Sequence, residues 1–159
     1  MAHPRMYDDS NPAIKRLREI CLALPGVFEK EAWGECTFRV IGGSMFAMTD
    51  NNHHNTGHMA VWVKAPAMVQ EILVHSDPKR FFIPPYVGKQ GWVGVRIDDK
   101  VKWDELAAIL KDGYLISAPN KRRAGTRGDA NVAAAGAAPK RISRPLQHKK
   151  APGRVRYET

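Results

Sequence analysis

Large apolar side chains all but stop at residue 118. In the 41 residues that follow there are five: Val132, Ile142, Leu146, Val155 and Tyr157. A segment so poor in them cannot bury enough surface to offset the entropy of ordering its backbone. Residues 1–118 must therefore form whatever core the chain has, and 119–159 is expected to be a tail that is disordered alone. Charge divides at the same place. The tail holds eleven Lys/Arg against two Asp/Glu, which is the whole net charge of +9, while 1–118 holds fourteen of each. The basic character belongs to the tail, and arguments about acidic partners start there.

Periodicity orders the first 118 residues. Asn11 as N-cap and Pro12 at the first helical position open a helix. Its apolar face is Ile14, Leu17, Cys21 and Leu24, and Leu24-Pro25-Gly26 stops it. Phe28 to Trp33, Cys36 to Ile41, Ser44 to Met48 and His58 to Lys64 read as strands. Gly42-Gly43 signals a two-residue hairpin between the second and third, since both glycines tolerate positive φ. A second helix begins near Pro66 with Val69, Ile72 and Leu73 as its buried stripe. Pro84-Pro85 makes 79–91 irregular. Trp92 to Asp98 alternates again, with Val93, Val95 and Ile97 on one side and Trp92, Gly94 and Arg96 on the other. A last helix runs from about Trp103 to Ile116, with Asp104 and Glu105 in its first turn. The order predicts an α+β fold: an antiparallel sheet of about five strands with helices packed on one face.

No apolar run is long enough to span a bilayer, and the N-terminus has no apolar signal core. Two cysteines do not make a disulfide framework and fit a reducing compartment, so a cytoplasmic location is expected.

Arg80-Phe81-Phe82-Ile83-Pro84-Pro85-Tyr86-Val87-Gly88-Lys89-Gln90-Gly91-Trp92-Val93-Gly94-Val95-Arg96 resembles the MmcQ/YjbR family. Leu24-Pro25-Gly26-Val27 with Glu29-Lys30, Thr37-Phe38-Arg39-Val40, Met45-Phe46-Ala47 and Trp103-Asp104-Glu105-Leu106 with Tyr114 fit the same pattern. The resemblance covers about residues 12–118. It implies a CyaY-like α+β fold and DNA binding through a double-wing arrangement of hairpins. It brings no catalytic residues.

The residues themselves leave several readings open. Asp50, His53 and His58 are suitable ligand types for a divalent metal, but their spacing matches no zinc signature. A solvated turn accounts for them, and no metal or other cofactor is expected. Gly88, Gly91 and Gly94 lead into a strand rather than a helix, so they serve turns and close approach rather than a phosphate cradle. Glu29, Glu31 and Glu35 form an acidic patch near Trp33 in the chain. No nucleophile motif marks Cys36, although an enzyme with dispersed catalytic residues stays open.

The strongest candidate surface combines the non-core side of the sheet with the Pro-rich loop: Arg39, Lys64, Tyr86, Lys89, Trp92 and Arg96. Aromatic rings interleaved with cations suit stacking and phosphate contact. Alternatively Trp92 packs under the loop and Arg96 pairs with a carboxylate. In the tail, Lys121, Arg122 and Arg123 begin a series of cations suited to binding DNA or another polyanion without sequence choice. Two functions follow: a DNA-associated module, or a small-ligand or protein-interaction domain with a pocket beneath Pro84-Pro85 lined by Trp92 and Tyr86.

Overall fold

Asn11 caps the first helix as its chemistry demands. Its side-chain oxygen accepts from the backbone N–H groups of Ala13 (2.9 Å) and Ile14 (3.4 Å), with Pro12 in the first turn. Such a cap stabilises a helix by about 1 kcal/mol. The structure, a computed structural model, describes residues 3–52 and 57–120. In chain order the elements are α1 (Pro12–Leu22), β1 (Val27–Ala32), β2 (Glu35–Val40), β3 (Met45–Asn51), β4 (Met59–Val63), α2 (Val69–Ser76), β5 (Phe81–Phe82), a 3₁₀ turn (Gly88–Gln90), β6 (Val93–Arg96) and α3 (Trp103–Ser117).

All neighbouring strands pair antiparallel in one sheet, ordered β1-β2-β3-β4-β6-β5. The sheet thus has six strands. The additional one is the two-residue β5, in the irregular segment, where Phe81 and Phe82 pair with Val95 and Gly94. It lies at the edge and ends before Pro84, as a strand followed by two prolines must.

Register sorts the side chains into two faces. One row, Phe38–Ala47–Val63–Val93, crosses the sheet on the side that meets Ile14, Leu17 and Cys21 of α1 and Leu106, Leu110 and Tyr114 of α3. Between Phe38 and Arg39 the β2–β3 register shifts, so that Arg39 opposes Met45 and Phe46 is the extra residue of a bulge. The bulge lets Phe46 and Ala47 both enter the core. The Phe46 ring meets Tyr114 edge-on at 5.9 Å, and the Tyr114 hydroxyl donates to the Pro25 carbonyl (2.7 Å).

Two expectations need correction. The β2–β3 connection is longer than two residues: it spans 41–44, closed by a Gly43 N–H to Val40 carbonyl bond (2.9 Å). Gly42 takes positive φ (+73°), whereas Gly43 is there for close approach. Helix α2 begins at Val69 rather than near Pro66, and none of its residues is buried; Ile72 is 61% exposed. It packs at the β5–β6 end of the sheet, where Leu73 and Val74 find the core and Ile72 stays exposed.

An ion-paired cluster ties the N-terminal segment to α1 and β1. Arg18 donates to Glu29 (2.8 Å) and Asp9 (2.6 Å), and Arg5 lies 4.2 Å from the centre of the Tyr7 ring. The Arg18 bond holds the Glu29 carboxyl below its ordinary 4.5, outweighing the burial that would raise it. A carboxyl lowered on folding stabilises fully above 4.5, and that contribution is lost as pH falls through the folded value. Arg18→Met is expected to cost about 2 kcal/mol at neutral pH, between exposed and buried pairs. Urea unfolding at neutral pH and at about pH 3 checks it: the deficit against wild type should narrow in acid. An equal deficit at both pH values would mean that Arg18 acts through packing alone.

Candidate functional site

The second row of the register, Thr37–Met48–Trp62–Gly94–Phe82, crosses the face away from α1 and α3. Gly94 makes that row workable. A Cβ there would come within 2.3–2.6 Å of three Phe82 ring carbons, so the Phe82 ring lies over the bare backbone. Two residues before Gly94, Trp92 falls on the same side, as the alternation of 92–98 predicts. Met48, Trp62 and Trp92 are buried there in a second apolar cluster, packed by Met45, Phe82 and Val87.

The loop after β5 completes this face. Gln70 of α2 donates to the Gly88 carbonyl (2.8 Å) and the Trp92 carbonyl (2.5 Å), fixing the loop to the sheet. Gly91 turns the chain at φ +87°, and Gly88 sits against Ile83, where a Cβ would lie 2.6 Å from Cγ2. These glycines make turns and close approaches.

Between loop and sheet lies a pocket of about 400 Å³. Its apolar wall is Met45, Met48, Trp62, Val87 and Trp92, and two carboxylates, Glu35 and Asp50, line it as well. Both acids are 1% exposed. Glu35 is fixed: one carboxylate oxygen accepts from the Thr49 hydroxyl (2.7 Å), the other from the Asn51 N–H (2.8 Å). Trp92 is 3% exposed, and its indole Nε1 is buried with no hydrogen-bond partner among the described residues. Leaving such a donor unsatisfied costs about 1–3 kcal/mol.

Two more aromatics reach the pocket from turns. Trp33 (φ +54°) and Gly34 (φ +78°) are the central residues of the β1–β2 hairpin, between the paired Ala32 and Glu35. Positive φ at both positions is a type I′ turn, which favours Asn-Gly. Tryptophan is a costly choice there, and it is 52% exposed. Tyr86 stands at φ +63° and is 78% exposed. Pro4 and Met6 pack on the Trp33–Gly34 turn, Met6 N–H donating to the Gly34 carbonyl (2.8 Å), which brings His3 to the pocket.

Of the surface predicted from sequence, Trp92 and Tyr86 therefore come together. The four cations are not among the pocket's lining residues. Arg39, half-buried on β2, donates to the Thr37 hydroxyl (3.0 Å). Lys64 follows β4 and donates to the Ser44 hydroxyl (3.0 Å). Lys89 is exposed on the 3₁₀ turn. Arg96 opposes Ala60 in register and donates to the Lys79 carbonyl (2.5 Å), a backbone oxygen rather than a carboxylate. Lys121, Arg122 and Arg123 lie outside the described residues, as does the rest of the tail.

The three glutamates near Trp33 separate. Glu29 pairs with Arg18 and Glu31 with Arg5 on the helix side, while Glu35 goes to the pocket. His58 faces Asp98 (3.2 Å), and His53 and His54 fall outside the described residues. Among the described residues no group of three or more His, Cys, Asp or Glu could hold a metal ion. Cys21 and Cys36 are free and buried, and burial pushes both thiols up, away from the thiolate a nucleophile needs. No helix among the described residues is long and apolar enough to cross a membrane.

Comparison with known proteins agrees with this architecture. No curated protein matches the chain. The crystal structure of Deinococcus radiodurans protein DR2400, described with a DUF419 family-model domain, is similar at 25% identity with a TM-score of 0.55; the match covers 65% of this chain and 76% of that one. The YjbR family model matches residues 22–116, a span holding all six strands, α2 and all but the last residue of α3, and the chain thus belongs to the YjbR family.

Proposed function

We propose that the folded domain is a small-molecule binding module whose site is the pocket on the open face of the sheet. The pocket's size and wall carry this reading. About 400 Å³ lined by indoles and methionines with a few polar groups is the composition of a ligand site. A domain reading DNA would aim cations at the phosphates. Here Arg39, Lys64, Lys89 and Arg96 are not among the residues gathered around the aromatic wall.

Three of the four tryptophans line the pocket, so occupancy should alter intrinsic fluorescence. A metabolite library screened against the full chain by thermal shift and tryptophan fluorescence is the test. A ligand at about 100 times its Kd should stabilise the fold by about 2.7 kcal/mol. Trp92→Phe should weaken any such ligand that uses the indole N–H. A broad library in which no compound changes either signal would overturn the reading.

A second reading, DNA binding, rests on a different observation, the +9 charge confined to residues 119–159. We assign sequence-independent polyanion affinity to that segment. The two activities are separable, because one needs a cavity and the other needs only a density of cations.

A further inference from the structure

Resting on the pocket reading, we propose that the ligand is a flat heteroaromatic ring that carries a hydrogen-bond acceptor on its edge. Three features of the site point to this class. The first is the surface that the cavity offers. Trp62 and Trp92 are buried in its wall, and Trp33 and Tyr86 reach its mouth from turns. An aliphatic ligand gains only from the area it buries there. A flat aromatic ring gains from that area and from an offset or edge-to-face contact with each ring it meets. Met45 and Met48 add thioether sulfurs, which sit favourably at the edge of an aromatic ring.

The second is the backbone conformation that places two of those rings. Trp33 stands at φ +54° and Tyr86 at φ +63°, a region that is unfavourable for bulky side chains. They are 52% and 78% exposed, so burial within the domain does not offset that cost. Strained positions of this kind cluster at ligand sites. A ring entering between loop and sheet would stack on both and cover them.

The third feature fixes where the ligand is polar. Trp92 Nε1–H is a buried donor with no partner among the described residues, on a side chain that lines the cavity. An indole N–H donates and cannot accept, so its partner must be an acceptor. A ring nitrogen or a carbonyl in the plane of the ring meets it, and the two faces of that ring stay available for stacking. Flat faces and an acceptor on the edge together describe a heteroaromatic rather than a hydrocarbon or a flexible chain.

Trp33 provides the sharpest variant. Asparagine is the residue that a type I′ turn prefers at its position. Trp33→Asn should therefore fold at least as stably as wild type while losing one stacking surface, an opposition that a purely structural role for Trp33 would not produce.

The experiment is a titration of the full chain with three probes of similar size, followed by the four indole N–H proton resonances. Coumarin is flat and carries a carbonyl on its edge. Octahydrocoumarin keeps the carbonyl without the aromatic ring, and naphthalene keeps the aromatic faces without the acceptor. Coumarin should shift the Trp92 resonance most and leave that of Trp103, outside the pocket lining, in place. It should bind about fivefold or more tightly than octahydrocoumarin, as stacking requires. Trp33→Asn should weaken coumarin by about fivefold with an unchanged or higher Tm. Trp92→Phe should weaken coumarin by about fivefold and naphthalene by no more than about twofold, because only the first uses the N–H. Equal loss of both would overturn the acceptor. Equal binding of coumarin and octahydrocoumarin, or library ligands that are all saturated, would overturn the ring and leave the pocket reading standing. If coumarin is silent, library ligands that are flat heteroaromatics weakened by Trp33→Asn uphold the assignment, and any other set of ligands overturns it. If no probe and no library compound moves an indole resonance, both readings fall.

Discussion

Gly43→Ala is expected to destabilise the domain by about 3 kcal/mol, lowering Tm by more than about 10 °C. The new Cβ would lie 2.0 Å from the backbone oxygen of Ser117 and 3.3 Å from Val40 Cβ. Neither neighbour is the free end of a flexible side chain. The Ser117 carbonyl closes α3 and accepts the Ser44 N–H at 3.2 Å, and Gly43 N–H is bonded to Val40 at 2.9 Å. Relief therefore means moving the β2–β3 loop off the end of α3 and losing those bonds. Gly42, next in the chain, behaves differently. It has positive φ, and a Cβ there would meet only Pro119 Cγ, at 3.9 Å. Gly42→Ala should cost about 1 kcal/mol, through backbone conformation alone, and Gly42→Asn less. Urea unfolding of the three variants checks the order. If Gly43→Ala is the milder of the two alanine changes, close approach is not what keeps a glycine at 43.

The paired glycines show where the sequence is legible and where it is not. Two adjacent glycines announce a turn, but they do not reveal which one bends the chain and which one makes room for a helix 74 residues away. Local signals are enough elsewhere. Asn11-Pro12 opens α1, and the alternation of 92–96 puts the valines in the core and Trp92 on the open face. Patterns fail where the third dimension decides. Val69, Ile72 and Leu73 have helical spacing, but spacing cannot tell that α2 sits at the β5–β6 end of the sheet and turns Ile72 outward. Met45 to Met48 shows no alternation because a bulge places Phe46 and Ala47 both inward.

The site divides along the same line. Tyr86 and Trp92 are visible in the sequence as aromatics on a loop and a strand face. Trp62 is legible too, because the alternation of 59–63 puts it opposite the valines, on the same side as Trp92. Glu35 and Asp50 are fifteen residues apart and come to one cavity through the packing of β2 and β3. Counted along the chain, the charge of the domain is neutral. Counted by face, the cations predicted for the surface are not among the pocket's lining residues, which are mainly aromatic and apolar.

DNA affinity should consequently depend on the tail and leave the pocket indifferent. Consider the full chain with Lys121, Arg122, Arg123, Lys140, Arg141, Lys149 and Lys150 replaced by glutamine, seven of the tail's eleven cations. For wild type, neutralising about six to ten phosphates would make duplex affinity fall by about 10³–10⁵ between about 50 and 200 mM salt. Each phosphate no longer neutralised should reduce the slope of log K against log[salt] by about 0.9, so the substituted chain, with four tail cations left, should bind weakly with a slope no steeper than about −3.6. Inorganic polyphosphate should compete as well as DNA of any sequence, because counterion release carries no base information. Ligand-induced fluorescence change in the pocket should be the same in both proteins. A substituted chain that keeps the steep slope would move the DNA-binding surface onto the domain. Arg39, Lys64, Lys89 and Arg96 would then be the residues to change, and the pocket would be a neighbour of the DNA site.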